Sequence, residues 1–64
     1  MIDVTHLNGE PAVVNLDLIE RIEKTPDTLI VMVSGNTLMV RETPEELVRR
    51  ARVYKRGLFA EASR

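Results

Sequence analysis

Turn-forming residues divide the first 42 residues into short segments, and this spacing constrains the fold more than any other feature of the sequence. Asn8 and Gly9 predict a tight hairpin turn, because both residue types tolerate a positive φ. Pro26, followed by Asp27, predicts a second turn, since Pro presets φ and Asp can hydrogen-bond the backbone ahead of it. Gly35 predicts a third turn. Segments this short, joined by turns, favour antiparallel strands in meander order.

The segments between these turns have the side-chain patterns of strands. Residues 2–7 alternate apolar and polar side chains, which is typical of a half-buried strand. Ile19 and Ile22 would fall on opposite faces of a regular strand, so we expect a short turn at residues 15–18 and then a bent strand. The continuous apolar run at residues 29–33 predicts a strand covered on both faces. In all, strands are expected at residues 2–7, 12–15, 19–25, 29–33 and 37–41.

The clearest local signal in the sequence is a helix start at Thr43. Thr43 can cap the free N–H groups, Pro44 suits the first helical position, and Glu46 can reach back to complete a capping box. Gly57 is the expected end of the helix, which leaves a tail or a second short helical piece after it. Apolar side chains recur at helical spacing and predict one stripe on this helix, formed by Leu47, Ala51, Tyr54 and Leu58.

The predicted fold class is α+β, mainly β: a small antiparallel meander sheet of about five short strands, followed by one C-terminal amphipathic helix. A chain of 64 residues has room for one small domain, expected at residues 1–56, with a tail at residues 57–64. One helix covers only one face of a sheet, whereas the strand at residues 29–33 is apolar on both faces. We therefore expect a homo-oligomer. In the tail, Leu58 and Phe59 either anchor it onto a neighbouring chain or complete the core of the monomer.

Charge is unevenly distributed along the chain. Residues 1–40 contain six acidic and two basic side chains, whereas residues 41–64 contain four acidic and seven basic ones. On the predicted helix a basic stripe lies opposite the apolar stripe, formed by Arg49, Arg52 and Arg56, with Arg50 and Lys55 nearby. The basic stripe is either a solvated helix face or a surface for an anionic partner.

If a partner binds, we expect it to contact the basic stripe and the loop tip at Asp27 and Thr28, because binding residues concentrate on loops. An acidic protein fits the basic stripe. Nucleic acid is the alternative partner, and it fits less well. Proteins that bind single-stranded nucleic acid usually have aromatic side chains, on which bases stack, among their basic residues. This chain has only two aromatic residues, Tyr54 and Phe59, and a pI near 5.7.

Residues that carry chemistry are few. Cysteine is absent, which removes thiol nucleophiles and thiolate metal sites, and His6 is the single histidine. The acidic residues show no spacing that selects a metal, and no glycine-rich loop joins a strand to a helix. We expect no enzymatic activity, no cofactor and no metal. The N-terminus has no basic leader and the longest apolar run is too short to span a bilayer, so the cytoplasm is the expected compartment.

Several strings of residues carry a family resemblance. The central string reads Leu-Ile-Glu-Arg-Ile-Glu at residues 18–23 and Thr-Pro-Asp-Thr at residues 25–28. The others are Thr-His-Leu-Asn-Gly at residues 5–9, Asn-Leu at residues 15–16, Gly35, and Val-Arg-Glu at residues 40–42. Over about residues 1–50, these strings resemble the flagellar FlbD family of small, SwrD-like proteins. The basic helix end from Ala51 onward lies outside the resemblance.

The resemblance implies a non-enzymatic cytoplasmic accessory of bacterial flagellar motility. It implies support of motor power or torque in swarming, through contacts with flagellar motor or basal-body proteins. The family offers no catalytic residues to transfer, so the motif residues are interpreted structurally. Asn8, Gly9, Pro26 and Gly35 are expected to form turns, and Thr43 and Glu46 to start the helix.

Overall fold

The structure, a computed structural model, describes the backbone of residues 1–62 and the side chains of residues 1–57. Its elements are β1 (Ile2–Thr5), β2 (Pro11–Val14), a 3-10 helix (Leu16–Leu18), β3 (Ile19–Lys24), β4 (Thr28–Met32), β5 (Thr37–Val40) and α1 (Pro44–Ala62). The strands pair in antiparallel fashion with their neighbours in sequence. The predicted α+β class, mainly β with one C-terminal helix, is confirmed.

The five strands form two sheets rather than one. β1 pairs with β2, and β3, β4 and β5 form a second sheet in that order. The 3-10 helix separates β2 from β3 and so interrupts the meander. The two sheets meet where His6, which follows β1, forms an isolated bridge with Val40 at the end of β5. There the N–H of Arg41 donates a hydrogen bond of 2.9 Å to the carbonyl of Thr5.

The two hairpin turns share one geometry. The N–H of Gly9 donates a hydrogen bond to the carbonyl of His6, and the N–H of Gly35 donates one to the carbonyl of Met32. Both bonds are 2.9 Å long. The φ angles of the two glycines are 95° and 94°, values that a side chain would strain. A turn followed by a glycine with positive φ is a common connection between antiparallel strands.

The first turn is of a different type from the one expected at Asn8 and Gly9. Among the described residues only glycines have a positive φ, so Asn8 is not the left-handed residue that a two-residue turn requires. Its side-chain Oδ1 instead accepts a hydrogen bond of 3.0 Å from the N–H of Glu10. The prediction located the turn correctly but gave the wrong turn type, because an Asn-Gly pair suits both.

The remaining turn joins β3 to β4 at residues 25–27. The peptide bond between Thr25 and Pro26 is cis, and the N–H of Thr25 donates to the carbonyl of Asp27 at 3.2 Å. The expected turn at Pro26 is therefore confirmed.

Strand β3 contains a register shift that explains the pattern of Ile19 and Ile22. Ile19 pairs with Met32 but Arg21 pairs with Val31, so β3 advances two residues while β4 advances one. This shift allows both Ile19 and Ile22 to pack against the core. The predicted bent strand is thus confirmed.

The core lies between the two sheets and the first half of α1. Ile30 is fully buried, and Leu47 of α1 is only 1% exposed. The buried cluster takes side chains from four strands and the helix, namely Ile2, Val4, Val14, Ile30, Val40 and Leu47. Burial of Leu47 in this cluster shows that α1 helps to close the core against water.

β4 buries side chains on both faces, as its apolar sequence predicts. Ile30 faces the core, and Val31, on the opposite face, is also buried. On that outer face Val31 lies between its register partners Arg21 and Thr37. Nearby Met39 of β5 remains 41% exposed. The outer face is therefore partly apolar.

α1 begins where predicted and continues past its predicted end. Thr43 Oγ accepts a hydrogen bond of 3.1 Å from the N–H of Glu46, which confirms the cap. Gly57 lies inside α1, which runs to Ala62, so the expected helix end at Gly57 is wrong. Gly57 lacks the positive φ of a helix-ending glycine. The expected roles of Leu58 and Phe59 concern side chains outside the described residues.

We predict that Gly57→Ala stabilises the protein by about 0.5–1 kcal/mol, because Ala is the better helix former and the added methyl group meets open space. Urea unfolding followed by circular dichroism measures the change. Gly35→Ala is the control, since it places the same methyl group at φ 94° and is expected to destabilise. A loss of stability in Gly57→Ala would mean that the helix ends at residue 57.

Candidate partner-binding surface on the helix

Glu42 holds the start of α1 against β1. Its Oε1 accepts a hydrogen bond of 2.9 Å from the N–H of Thr5, and its Oε2 accepts one of 2.8 Å from the Thr5 hydroxyl. Arg50 Nη1 donates to the same Oε2 at 3.1 Å and to the carbonyl of Asp3 at 2.8 Å. The Glu42 side chain is only 8% exposed. These bonds therefore replace the water that a carboxylate otherwise requires.

Arg41 holds the first hairpin turn against the same segment. Its Nε donates a hydrogen bond of 3.0 Å to the carbonyl of Leu7. A methyl group at Gly9 would come within 3.4 Å of Arg41 Nη2. Gly9 thus supplies both the positive φ of the turn and room for this arginine.

Two carboxylates have lowered pKa values as a result of these contacts. Burial by itself raises the pKa of Glu42, but the hydrogen bonds from Thr5 and Arg50 outweigh burial and hold the pKa below its ordinary value. The hydrogen bond from Arg49, with a second from Arg50, lowers the pKa of Glu46 to about 2. Both carboxylates are therefore charged at neutral pH.

Glu46 completes an ion-pair network instead of a capping box. Its carboxylate accepts hydrogen bonds from Arg49 at 2.6 and 2.8 Å and from Arg50 at 3.1 Å. We find no hydrogen bond from the N–H of Thr43 to this side chain among the described residues. The expected capping box is therefore only half formed, because two arginines compete for the carboxylate.

The structure brings the basic stripe together on an exposed face of α1. Its three arginines line one side of the helix with Val48, which is 43% exposed. Arg49 is neutralised by its ion pair with Glu46. Within residues 1–57, Arg52 and Arg56 have no ion pair. The free positive charge of the stripe therefore lies towards its C-terminal half.

Asp27 and Thr28 lie away from the basic stripe. They line a separate cavity of about 260 Å³ beside Leu7 and Arg41. Thr28 is only 4% exposed, because it is the first residue of the central strand β4. Little of the Thr28 side chain is thus accessible to a partner, whereas Asp27 is exposed, and the expected contacts at both residues stay predictions.

An apolar groove between α1 and β3 was not predicted from the sequence. Its open volume is about 310 Å³. It is lined by Ile2, Leu16, Ile19, Ile22, Leu47, Val48, Ala51, Arg52 and Lys55. The half-buried state of Ile19 and Ile22 could not be read from the sequence, because it follows from the register shift in β3.

The described part of the chain holds neither a cluster of metal-ligating side chains nor a helix suited to cross a membrane. No group of three or more His, Cys, Asp or Glu side chains within it could hold a metal ion. His6 lies at the junction of the sheets, where its backbone N–H donates to the carbonyl of Glu10 at 2.9 Å. Within the same residues, no helix has both the length and the apolar character needed to cross a membrane.

Comparison with known proteins gives a family match. The family model described as "FlbD: Flagellar and Swarming motility proteins" matches residues 1–59. The FlbD family inferred from the sequence is confirmed, and the match extends beyond residue 50 to include the basic stripe. No curated protein and no solved structure matches this chain.

We predict that Glu42→Gln lowers the free energy of unfolding at pH 7 by about 1–3 kcal/mol, because Thr5 and Arg50 lose a charged acceptor in a buried place. Chemical denaturation measures the loss. Glu45→Gln makes the same chemical change at an exposed position in the first turn of α1 and should alter stability by only about 0.5 kcal/mol.

The cost of Glu42→Gln should also depend on pH. The folded-state pKa of Glu42 lies below its ordinary value of 4.5, so the carboxylate stabilises the fold fully above that value. This contribution is lost as the pH falls through the folded-state pKa. The difference between the wild type and Glu42→Gln should therefore shrink below pH 4.5. A constant difference from pH 7 to acid would contradict this account.

Proposed function

Since the chain belongs to the FlbD family of flagellar and swarming motility proteins, we propose that it is a non-enzymatic cytoplasmic accessory protein that supports motor power. It acts by binding a flagellar motor or basal-body protein. The observation that carries the binding role is the exposed basic stripe, where Arg52 and Arg56 lie beside Val48 with no ion pair among the described residues.

The distribution of arginines on α1 supports this proposal. Arg50 is bound to Glu42, Glu46 and the carbonyl of Asp3, and so it serves the fold. Arg52 and Arg56 make no such contacts among the described residues. Arginine is enriched at protein interfaces relative to the rest of the protein surface. A partner surface rich in carboxylates would complement this stripe.

Nucleic acid is the alternative partner, and the observation in its favour is the group of cations with no ion pair among the described residues, Arg52, Lys55 and Arg56. Two observations favour a protein instead. Tyr54 is half-buried against the core, so its ring is not an open platform for a base. Arg49 and Arg50 are already engaged by carboxylates. Binding to DNA or RNA that weakens steeply with added salt would favour the alternative.

Self-association is a further part of the proposal. The outer face of the three-stranded sheet combines the exposed Met39 with apolar Leu29 and the ion pair of Arg21 and Glu23. A face that carries both signs of charge around apolar side chains can complement a second copy across a two-fold axis. We therefore assign the homo-oligomer contact to this face.

We predict that reversal of two free cations, in Arg52→Glu/Arg56→Glu, lowers swimming and swarming while the circular dichroism spectrum and melting temperature stay close to those of the wild type. The control compares single charge reversals of equal size, Arg56→Glu in the stripe and Lys24→Glu at an exposed position on β3 outside the sheet face assigned to self-association. Protein levels must be equal in all strains. Normal motility in the helix variant would contradict a role for the basic stripe.

For self-association, we predict an oligomer by light scattering over a concentration series, and a smaller mass for Met39→Asp. Val13→Asp is the control, because Val13 is exposed on the other sheet. A wild-type protein that remains a monomer at every concentration would disprove the proposed contact. An equal decrease in solution mass in both variants would mean that the contact between copies is not on this face.

A further inference from the structure

The apolar groove between α1 and β3 is open in the described structure. Ile19 and Ile22 of β3 and Leu47 and Ala51 of α1 line it, and its volume is about 310 Å³. Ile19, Ile22 and Ala51 are only half-buried, so part of their apolar surface still faces water. Pockets of roughly this size bind ligands that bring apolar groups into them.

One edge of the groove is positively charged. Arg52 and Lys55 line it from the helix side, and both are exposed. Neither makes an ion pair within the described part of the chain. No carboxylate of β3 is within ion-pair distance of either side chain, and Glu20 and Glu23 are bound to Arg21 instead. The groove therefore combines an apolar floor with unpaired cations.

We propose that this groove binds an amphipathic helix of a partner protein. The apolar side chains of that helix enter the groove, and its carboxylates meet Arg52 and Lys55. A helix seated in an apolar groove is a common mode of peptide recognition. The inference rests on the proposed function in one respect, namely that the partner is a protein.

The shape of β3 favours a helix over an added strand as the occupant. The register shift between Ile19 and Arg21 distorts this edge strand, and such irregularities hinder pairing with another strand. A second copy of this chain is also disfavoured. Its long helix, α1, has cations on its exposed face, and these would meet Arg52 and Lys55 of the first copy.

The test uses synthetic peptides and the full-length protein labelled with ¹⁵N. The first peptide, of about 16 residues or four helical turns, has Leu at helical spacing with Glu beside the Leu stripe. In the second peptide Lys replaces each Glu, and in the third Ser replaces each Leu. We expect the first to bind at micromolar concentration and to shift the amide resonances of Ile19, Ile22 and Ala51. The other two should bind at least about tenfold more weakly.

Matched variants locate the binding. Val48→Asp and Lys55→Glu alter residues that line the groove, and each should weaken binding of the Glu peptide by about tenfold or more. Val53→Asp and Lys24→Glu make the same changes at exposed residues that do not line it, and both should bind almost normally. Circular dichroism checks that every variant is folded.

Several outcomes would overturn the inference: no binding of the Glu peptide at about 1 mM, equal binding of the Lys peptide, or equal losses in the control variants. If Lys55→Glu instead breaks up a peptide-free oligomer, the occupant is a second copy and the inference is wrong.

Arg56 separates this test from the proposed function, because it belongs to the basic stripe and does not line the groove. Reduced motility in Arg56→Glu would support the stripe even if no peptide entered the groove.

Discussion

The buried carboxylate of Glu42 is the interaction on which the arrangement of the whole chain depends. It lies between β5 and α1 in sequence, accepts two hydrogen bonds from Thr5 of β1, and pairs with Arg50 of α1. The two sheets also meet at the bridge of His6 with Val40, at the hydrogen bond from the N–H of Arg41 to Thr5, and through the shared core cluster. Glu42 joins the helix to this contact between the sheets, because a buried charge must keep its partners.

The same contact determines which cations of α1 remain available. Because Glu42 and Glu46 take Arg50 and Arg49, the positive charge left on the described helix lies at Arg52, Lys55 and Arg56. The position of α1 also creates the groove beside β3, since Leu47 and Ala51 of this helix form one wall of the groove. The two surfaces proposed for binding thus follow from how the helix is anchored.

Features that depend on neighbouring residues could be predicted from the sequence, and features that depend on distant contacts could not. The cap at Thr43 and the positions of the turns at Gly9 and Gly35 follow from residue type. The burial of Thr28 and the structural role of Arg50 do not, because both follow from partners far away in the chain. Gly57 shows a third case: local propensity favours a helix end there, but the helix continues.

The repeated hairpin turn has a consequence for how the chain reaches its fold. Each turn closes a hairpin from neighbouring residues, and such hairpins form within about 1–10 μs. The hydrogen bond of Arg50 with Asp3 instead joins residues 47 positions apart. We expect the two hairpins to form early and independently, and the long-range contact to form last, since it closes the largest loop. Cooperative folding of this small protein then depends on the hydrogen bond that joins the residues most distant in sequence.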